Sequence, residues 1–279
     1  MTSVSNKPNQ VPLAAEGLTL TRSGTGIVSS FSARFGDTRG DQGELVAIVG
    51  PNGSGKTTLL QGLAGLLSPT AGNVKVHGQI LAELSPLPRA KLIAYLEQNP
   101  RVHWRLTVEA VIRLGVPQEK VWWFSEDPLK KEFLEHICDL TFCQDLRHHT
   151  IQDLSSGEQM RAHLARLLIA NTPVVLADEP TANLDPFYQL QCMQLLSNIA
   201  AQGKTVVVVL HDLTLATRFC NRMILLNKGT IVADGRPSEV LSEANLRRVF
   251  QLKASAVAGG TGLKEIGVAP EYPWTILND

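Results

Sequence analysis

The stretch Gly50-Pro51-Asn52-Gly53-Ser54-Gly55-Lys56-Thr57-Thr58 satisfies the spacing G-x-x-x-x-G-K-[ST]. It follows an apolar run, Glu44 to Val49, and opens a helix-periodic stretch from about Lys56 to Leu67. A strand, a tight loop and a helix are expected in that order. Such a loop suits a polyphosphate. Glycines let the backbone curl so that successive N–H groups point inward, and the helix N-terminus adds its positive end. Lys56 is placed to reach the β- and γ-phosphates of ATP, and the Thr57 hydroxyl to ligate Mg²⁺. A plain glycine-rich turn is the competing reading, and the flanking strand and helix speak against it. Gly50, Asn52, Gly53, Ser54, Gly55, Lys56, Thr57 and Thr58 are thus the expected ATP-binding residues.

An acid pair, Asp178-Glu179, ends a second apolar run in "VVLADEP". Along a strand successive side chains point to different sides. One carboxylate can therefore serve a metal while its neighbour faces an attacking water. Asp178 is assigned to Mg²⁺, directly or through a water, and Glu179 to orienting and deprotonating the water. By itself the pair would read equally well as a solvated acidic turn. A third stretch, Leu154-Ser155-Ser156-Gly157-Glu158, has the Ser-x-x-Glu spacing of a capping box, which begins a helix. The same residues could form half of a nucleotide site offered to another molecule.

These groups need a scaffold. Residues 12 to about 49 read as short strands and turns, and "GNVKVHG" and "LIAYLEQ" add two strand-like runs. From about 99 to 168 helical patterns take over, as in "LTVEAVIRL" and "DPLKKEFLEHICDL". "TPVVLADEP" and "GKTVVVVLHD" then resume buried strands, each followed by a helix, which implies a mostly parallel sheet.

Composition narrows the class. The chain has 279 residues, 44% hydrophobic and 19% charged, so it can bury a large core and is not broadly disordered. Lys+Arg and Asp+Glu both number 26, leaving no basic surplus for a nucleic-acid partner. No run approaches the roughly 18 apolar residues of a membrane span, and the polar start lacks a secretory apolar centre. The expectation is a soluble protein whose membrane role would require a partner. Four cysteines fit a reducing compartment. His136, Cys138, Cys143, His148 and His149 cluster, but positions 136 and 138 would not share a helix face, so core packing is preferred to a zinc site.

The ordered set of motifs resembles the ABC-type ATPases over about residues 15 to 250. It comprises Gly50 to Thr58, Gln98 after "AYLE", "LSSGE", "VVLADEP", "ANLD" (182–185) and His211 after a valine run. The resemblance implies an α/β fold: a P-loop NTPase core of mostly parallel sheet, an N-terminal antiparallel β subdomain and an inserted α-helical subdomain. It places the ATPase domain at 12–252, the helical subdomain at about 99–168, and an extension of unassigned role at 253–279.

It further implies a head-to-tail pair, either a homodimer or a heterodimer with a related ATPase. Each ATP would lie between one protomer's phosphate loop and the other's signature segment, met by Ser155 and the Gly157 N–H. Gln98 resembles the loop glutamine that reaches Mg²⁺ and the water, Asp185 the aspartate signalling across the dimer, and His211 the histidine touching the γ-phosphate. Asp185-Pro186 also reads as an N-cap followed by proline at the first helical position. The chain departs from relatives at Ser156 (usually Gly), Glu158 (usually Gln) and Glu97 (often Pro). Relatives stack adenine on an aromatic near "LTLTRSGTG" (18–26), where this chain has none. Phe31 and Phe35 are the nearby candidates.

Soluble relatives of DNA repair or translation usually carry two cassettes or a long coiled-coil insert, and this chain has neither. The ATPase of a membrane transporter is therefore the preferred reading, acting on an integral permease and indirectly on a solute-binding protein. The stretches 102–115 and 210–250 resemble importers of iron-siderophore, haem or cobalamin-type substrates. The alternatives are another ABC transporter class, or a soluble non-transport ABC protein. His103-Trp104 could dock the permease or pack the subdomain, and the same choice applies to Trp122 and Trp123. A position on the inner face of the cell membrane is expected.

Overall fold

The structure, a computed structural model, describes residues 11–36, 43–100, 102–117, 128–256 and 266–270. Trp122, Trp123 and most of the extension lie outside them.

A six-stranded sheet forms the centre. Its strands are β3 (Glu44–Val49), β6 (Ile93–Leu96), β7 (Val174–Asp178), β8 (Thr205–Val209), β9 (Arg222–Asn227) and β10 (Thr230–Gly235), in the order β10-β9-β3-β8-β7-β6. Every pairing is parallel except β9 with β10. Strands β3, β7 and β8 are buried along their full length, as expected of a parallel sheet covered on both faces. β-Branched side chains supply most of these three strands, and they suit a pleated, packed surface.

Alternation divides the core in two. Val46, Ile48, Val174, Leu176, Val207 and Val209 face one layer, with Leu59, Leu60 and Leu63 of α1 (Lys56–Leu63). That layer is closed by an antiparallel sheet of β1 (Leu13–Arg22), β2 (Thr25–Phe35), β4 (Ala71–Val76) and β5 (Gln79–Ile80), ordered β2-β1-β4-β5, from which α2 (Pro86–Leu92) leads to β6. Two of these strands come from beyond the phosphate loop, so the antiparallel unit is not built from the N-terminal segment alone. Leu45, Ala47, Val175, Ala177, Val206 and Val208 face the opposite layer.

The helical segment carries α3 (Val108–Arg113), α4 (Pro128–Leu140) and α5 (Ser156–Ile169), whose apolar positions join this second layer. Thr107 caps α3 by accepting from the Ala110 N–H at 3.2 Å. Glu109 bridges Arg113 (2.7 Å) and Arg147 (2.8 Å), tying α3 to the chain that leads into α5. At the end of α3, a Cβ on Gly115 would come within 2.0 Å of the Arg166 carbonyl, so the two helices meet backbone to backbone. Cys138 and Cys143 are buried in this core, where burial pushes the Cys138 thiol up to about 12. After α6 (Pro186–Ala201), α7 (Leu213–Phe219) and β10, the backbones of Leu252–Ala256 and Ile266–Pro270 pair as an antiparallel hairpin. No helix among the described residues is long and apolar enough to cross a membrane.

Candidate active site

Four adjacent strands, β3, β8, β7 and β6, run parallel, so the residues just beyond their C-terminal ends meet along one edge of the sheet. β3 delivers the phosphate loop, β6 Gln98, β7 Asp178 and Glu179, and β8 His211. Between them lies a cleft of about 730 Å³, lined by Arg22, Ile27, Asn52, Gly53, Gly55, Lys56, Thr57, Thr58, Gln98, Glu179 and His211.

The loop needs glycine for conformational reasons. Gly50 has φ 155°, and a Cβ there would sit 2.1 Å from the Leu226 carbonyl. Gly55, at φ 97°, occupies the cap position of α1 without a side chain to cap it. The N–H groups of Lys56, Thr57 and Thr58 therefore keep no intrahelical partner and remain for an anion. Gly50 and Ser54 do not line the cleft; Ser54 is buried, and both residues shape the loop from behind. The Lys56 ammonium donates to the Gly50 and Pro51 carbonyls at 2.9 and 3.0 Å. Burial lowers its pKa, opposed by Glu179 and Asp178.

Asp178 is fully buried, and neither carboxylate oxygen has a hydrogen bond of good geometry among the described residues. Burial pushes its pKa up to about 6, with the Thr57 side chain as the main offset. Two orphaned carboxylate oxygens beside a threonine hydroxyl form a hard, oxygen-only donor set, which fits a small divalent cation such as Mg²⁺.

Glu179 diverges from Asp178 for a reason that strand alternation does not supply. The strand stops at Asp178, and Glu179 adopts a left-handed φ of 52° that turns its side chain into the cleft. There its Oε1 accepts from Gln98 Nε2 at 2.7 Å and meets His211 Nε2 at 2.5 Å. An ionised carboxylate only accepts, so Nε2 carries the imidazole proton in that contact. Asp212, the next residue, caps α7, accepting from the Thr214 and Leu215 N–H groups at 2.7 and 3.1 Å. An Asp just before a helix is a cap signal, and it was readable in the sequence.

Ser155, Gly157 and Asp185 do not line this cleft. Ser155 caps α5 in a complete capping box: the Glu158 N–H donates to Ser155 Oγ (3.3 Å), and the Ser155 N–H and Oγ both donate to Glu158 Oε2 (2.9 and 2.7 Å). Those bonds hold the Glu158 carboxyl below the usual carboxylate range. Ser156 is the first residue of α5 and is not among the positive-φ residues, so its side chain introduces no backbone strain. Asp185 occupies the cap position of α6 with proline following, as that dipeptide predicts, although its carboxylate makes no capping bond.

Phe31 and Phe35 are 1% and 0% exposed inside the antiparallel layer, so neither can stack a base. Arg22 and Ile27 occupy that side of the cleft instead. Neither is aromatic, so the stretch 18–26 and the residue after it carry no ring signal that would single them out. A further unforeseen group is His163, buried with both ring nitrogens unpartnered beside a cavity of about 160 Å³ that Asn99 and Asn183 also line. Burial lowers its pKa to about 4, so the ring is neutral near pH 7. Asn183 Nδ2 donates to Asn99 Oδ1 at 3.2 Å, joining the loop after Gln98 to the segment before Asp185.

A comparison with protein families matches residues 38–182 to the ABC transporter family, with the cleft's loop and acid pair inside the match. The chain belongs to the ABC transporter family. It is 40% identical over 221 residues to a hemin import ATP-binding protein of Rhodopseudomonas palustris, covering 76% of this chain and 79% of that protein. It is 33% identical over 257 residues to the Bordetella avium protein of the same name, covering 88% and 94%. Among solved structures, the fold is similar to a dimeric post-hydrolysis state of an ATP-binding cassette bound to ADP and Pi. The TM-score is 0.70 at 26% identity, covering 81% of this chain and 98% of that one. The chemistry of this ABC chain is ATP hydrolysis coupled to transport.

Proposed function

We propose that the chain is the ATP-hydrolysing subunit of an importer for haem or a similar metal chelate, working as a pair of copies on a membrane permease. The observation that carries this is the division of the nucleotide machinery. Lys56, Thr57, Gln98, Glu179 and His211 line one cleft, with Asp178 buried beside Thr57, whereas Ser155, Gly157 and Asp185 lie outside it. A γ-phosphate held by one copy would be completed by the Ser155 hydroxyl and the α5 N-terminus of the other. The names of the hemin import relatives support the cargo class.

Each residue then has a task. The N–H groups of the loop and first turn hold the phosphates, and Lys56 moves from the Gly50 and Pro51 carbonyls to the β- and γ-phosphates. Thr57, Asp178 and Gln98 would hold Mg²⁺, which neutralises developing phosphate charge when bound. Glu179, fixed through Oε1 by Gln98 and His211, orients a water and takes its proton. The water oxygen attacks the γ-phosphorus, the bond to the bridging oxygen breaks, and ADP leaves with the electron pair. Loss of the γ-phosphate removes the link between Lys56 of one copy and Ser155 of the other, and the pair opens.

In this reading residues 12–252 form the ATPase domain, 253–279 an extension, and 99–168 the helical unit that carries the movement to the permease. Trp104, 74% exposed on the segment between Gln98 and α3, serves with exposed His103 as permease contact rather than subdomain packing. The test is Glu179→Gln. It should retain Mg-ATP binding, form an ATP-dependent dimer and lose turnover; a variant that stays monomeric with ATP would count against the paired site.

A further inference from the structure

A second cavity, of about 280 Å³, lies between the helical segment and the core, where β7 and β8 begin rather than where they end at the nucleotide cleft. Phe133 and Ile137 of α4 and Leu168 of α5 form one wall. Val175 of β7, with Leu195 and Ile199 of α6, forms the other. None of these residues lines the nucleotide cleft. We propose that this cavity binds a small apolar carboxylic acid, its chain between α4 and α6 and its carboxylate on the Lys204 ammonium.

The cation gives the cavity its preference. Lys204 lines it and is half-buried, just before β8, where its carbonyl accepts from the Glu44 N–H at 3.2 Å. Its Nζ donates to Asn171 Oδ1 at 2.6 Å, and no carboxylate pairs with it among the described residues. Burial lowers its pKa, and no neighbouring charge opposes that shift. Asn171 is held for this contact. It follows α5 in a left-handed conformation, φ 50°, with its N–H bonded to the Leu168 carbonyl at 3.1 Å. An ammonium has three donors, so two are open to a ligand. A carboxylate accepts both and neutralises the desolvated charge.

The rest of the cavity calls for an apolar body. Phe133 and Leu140, which both line it, are 36% and 39% exposed, and a short acyl chain would take their apolar surface out of water. The volume is at the small end for ligand cavities, which suits a single chain rather than a multi-ring chelate. Because one wall belongs to α4 and α5 and the other to α6 and β7, an occupant ties the helical segment to the sheet.

The test separates charge from chain. The probe is octanoate, kept below the concentration at which it forms micelles, with octanol as its uncharged analogue. In calorimetric titration of the full chain, octanoate should bind once per chain and more tightly than octanol. Lys204→Met keeps an apolar stem and removes the charge, so it should weaken octanoate about tenfold and leave octanol unchanged. Hydrogen exchange should slow at the α4 amides when octanoate binds. Retained Mg-ATP binding by the variant reports an intact fold. The proposal is overturned if octanoate shows no saturable binding, if octanol binds wild type as tightly as octanoate, if Lys204→Met binds octanoate like wild type, or if exchange slows only away from α4. The two octanoate and octanol titrations of wild type decide the matter even if the variant does not fold.

Discussion

Replacing Asp178 by asparagine should stabilise the nucleotide-free protein at alkaline pH while removing its response to Mg-ATP. Burial raises the Asp178 carboxyl from 3.8 to about 6, and its two oxygens have no well-formed hydrogen bond. Between those pH values the native state keeps a proton that the unfolded chain has released. The contribution of Asp178 to wild-type stability therefore falls as pH rises from about 4 to about 6 and stays lower above it. The gap of roughly two pH units corresponds to about 3 kcal/mol. Asparagine cannot ionise, so the variant lacks this loss, although its amide is equally short of partners. The stability difference between variant and wild type should thus shift in the variant's favour by about 2–3 kcal/mol between pH 4 and pH 8. Urea unfolding in EDTA at several pH values measures it. With EDTA omitted, Mg-ATP at pH 8 should raise the wild-type midpoint and leave the variant unmoved. A stability difference that does not vary with pH would refute the claim that Asp178 is held as a destabilised anion awaiting a cation.

Other consequences are simpler. Glu179→Gln should lower single-turnover hydrolysis by about 10²–10⁴-fold with ATP affinity retained; near-normal turnover would remove Glu179 from the role of base. Gly50→Ala forces a Cβ to within 2.1 Å of the Leu226 carbonyl, so a loss of about 3 kcal/mol in denaturant unfolding is expected. Glu158→Ala opens the α5 capping box and should cost about 1 kcal/mol, with the Ser155 hydroxyl released from its carboxylate partner. An unchanged unfolding midpoint would show the box to be energetically idle.

The legible parts of this protein are those fixed by local chemistry. Gly50 to Thr58 can only curl one way between a strand and a helix, and Ser155 with Glu158 closes the box that its spacing announces. Continuous apolar runs likewise announced the buried strands. The illegible parts depend on what distant segments do to one another. The β4–β5 hairpin joins β1 across the phosphate-loop helix, a pairing that no local pattern encodes. Glu179 faces the cleft because its backbone turns left-handed, whereas alternation gives the right outcome through the wrong cause. Phe31 and Phe35 have the right chemistry for stacking but alternate inward along β2. Asp185 sits at a cap position and does not cap, because side-chain orientation is decided by surroundings the dipeptide cannot specify.

Mixing two inactive variants tests the central claim that each nucleotide is handled by two copies. Glu179→Gln leaves the signature segment whole. Ser155→Asp keeps a capping residue but sets a negative charge against the partner's γ-phosphate. In a mixed pair one site has an intact cleft and an intact signature, and the other is doubly defective. The account predicts that the mixture hydrolyses ATP well above either variant by itself; a mixture no more active than the sum of its parts would contradict it.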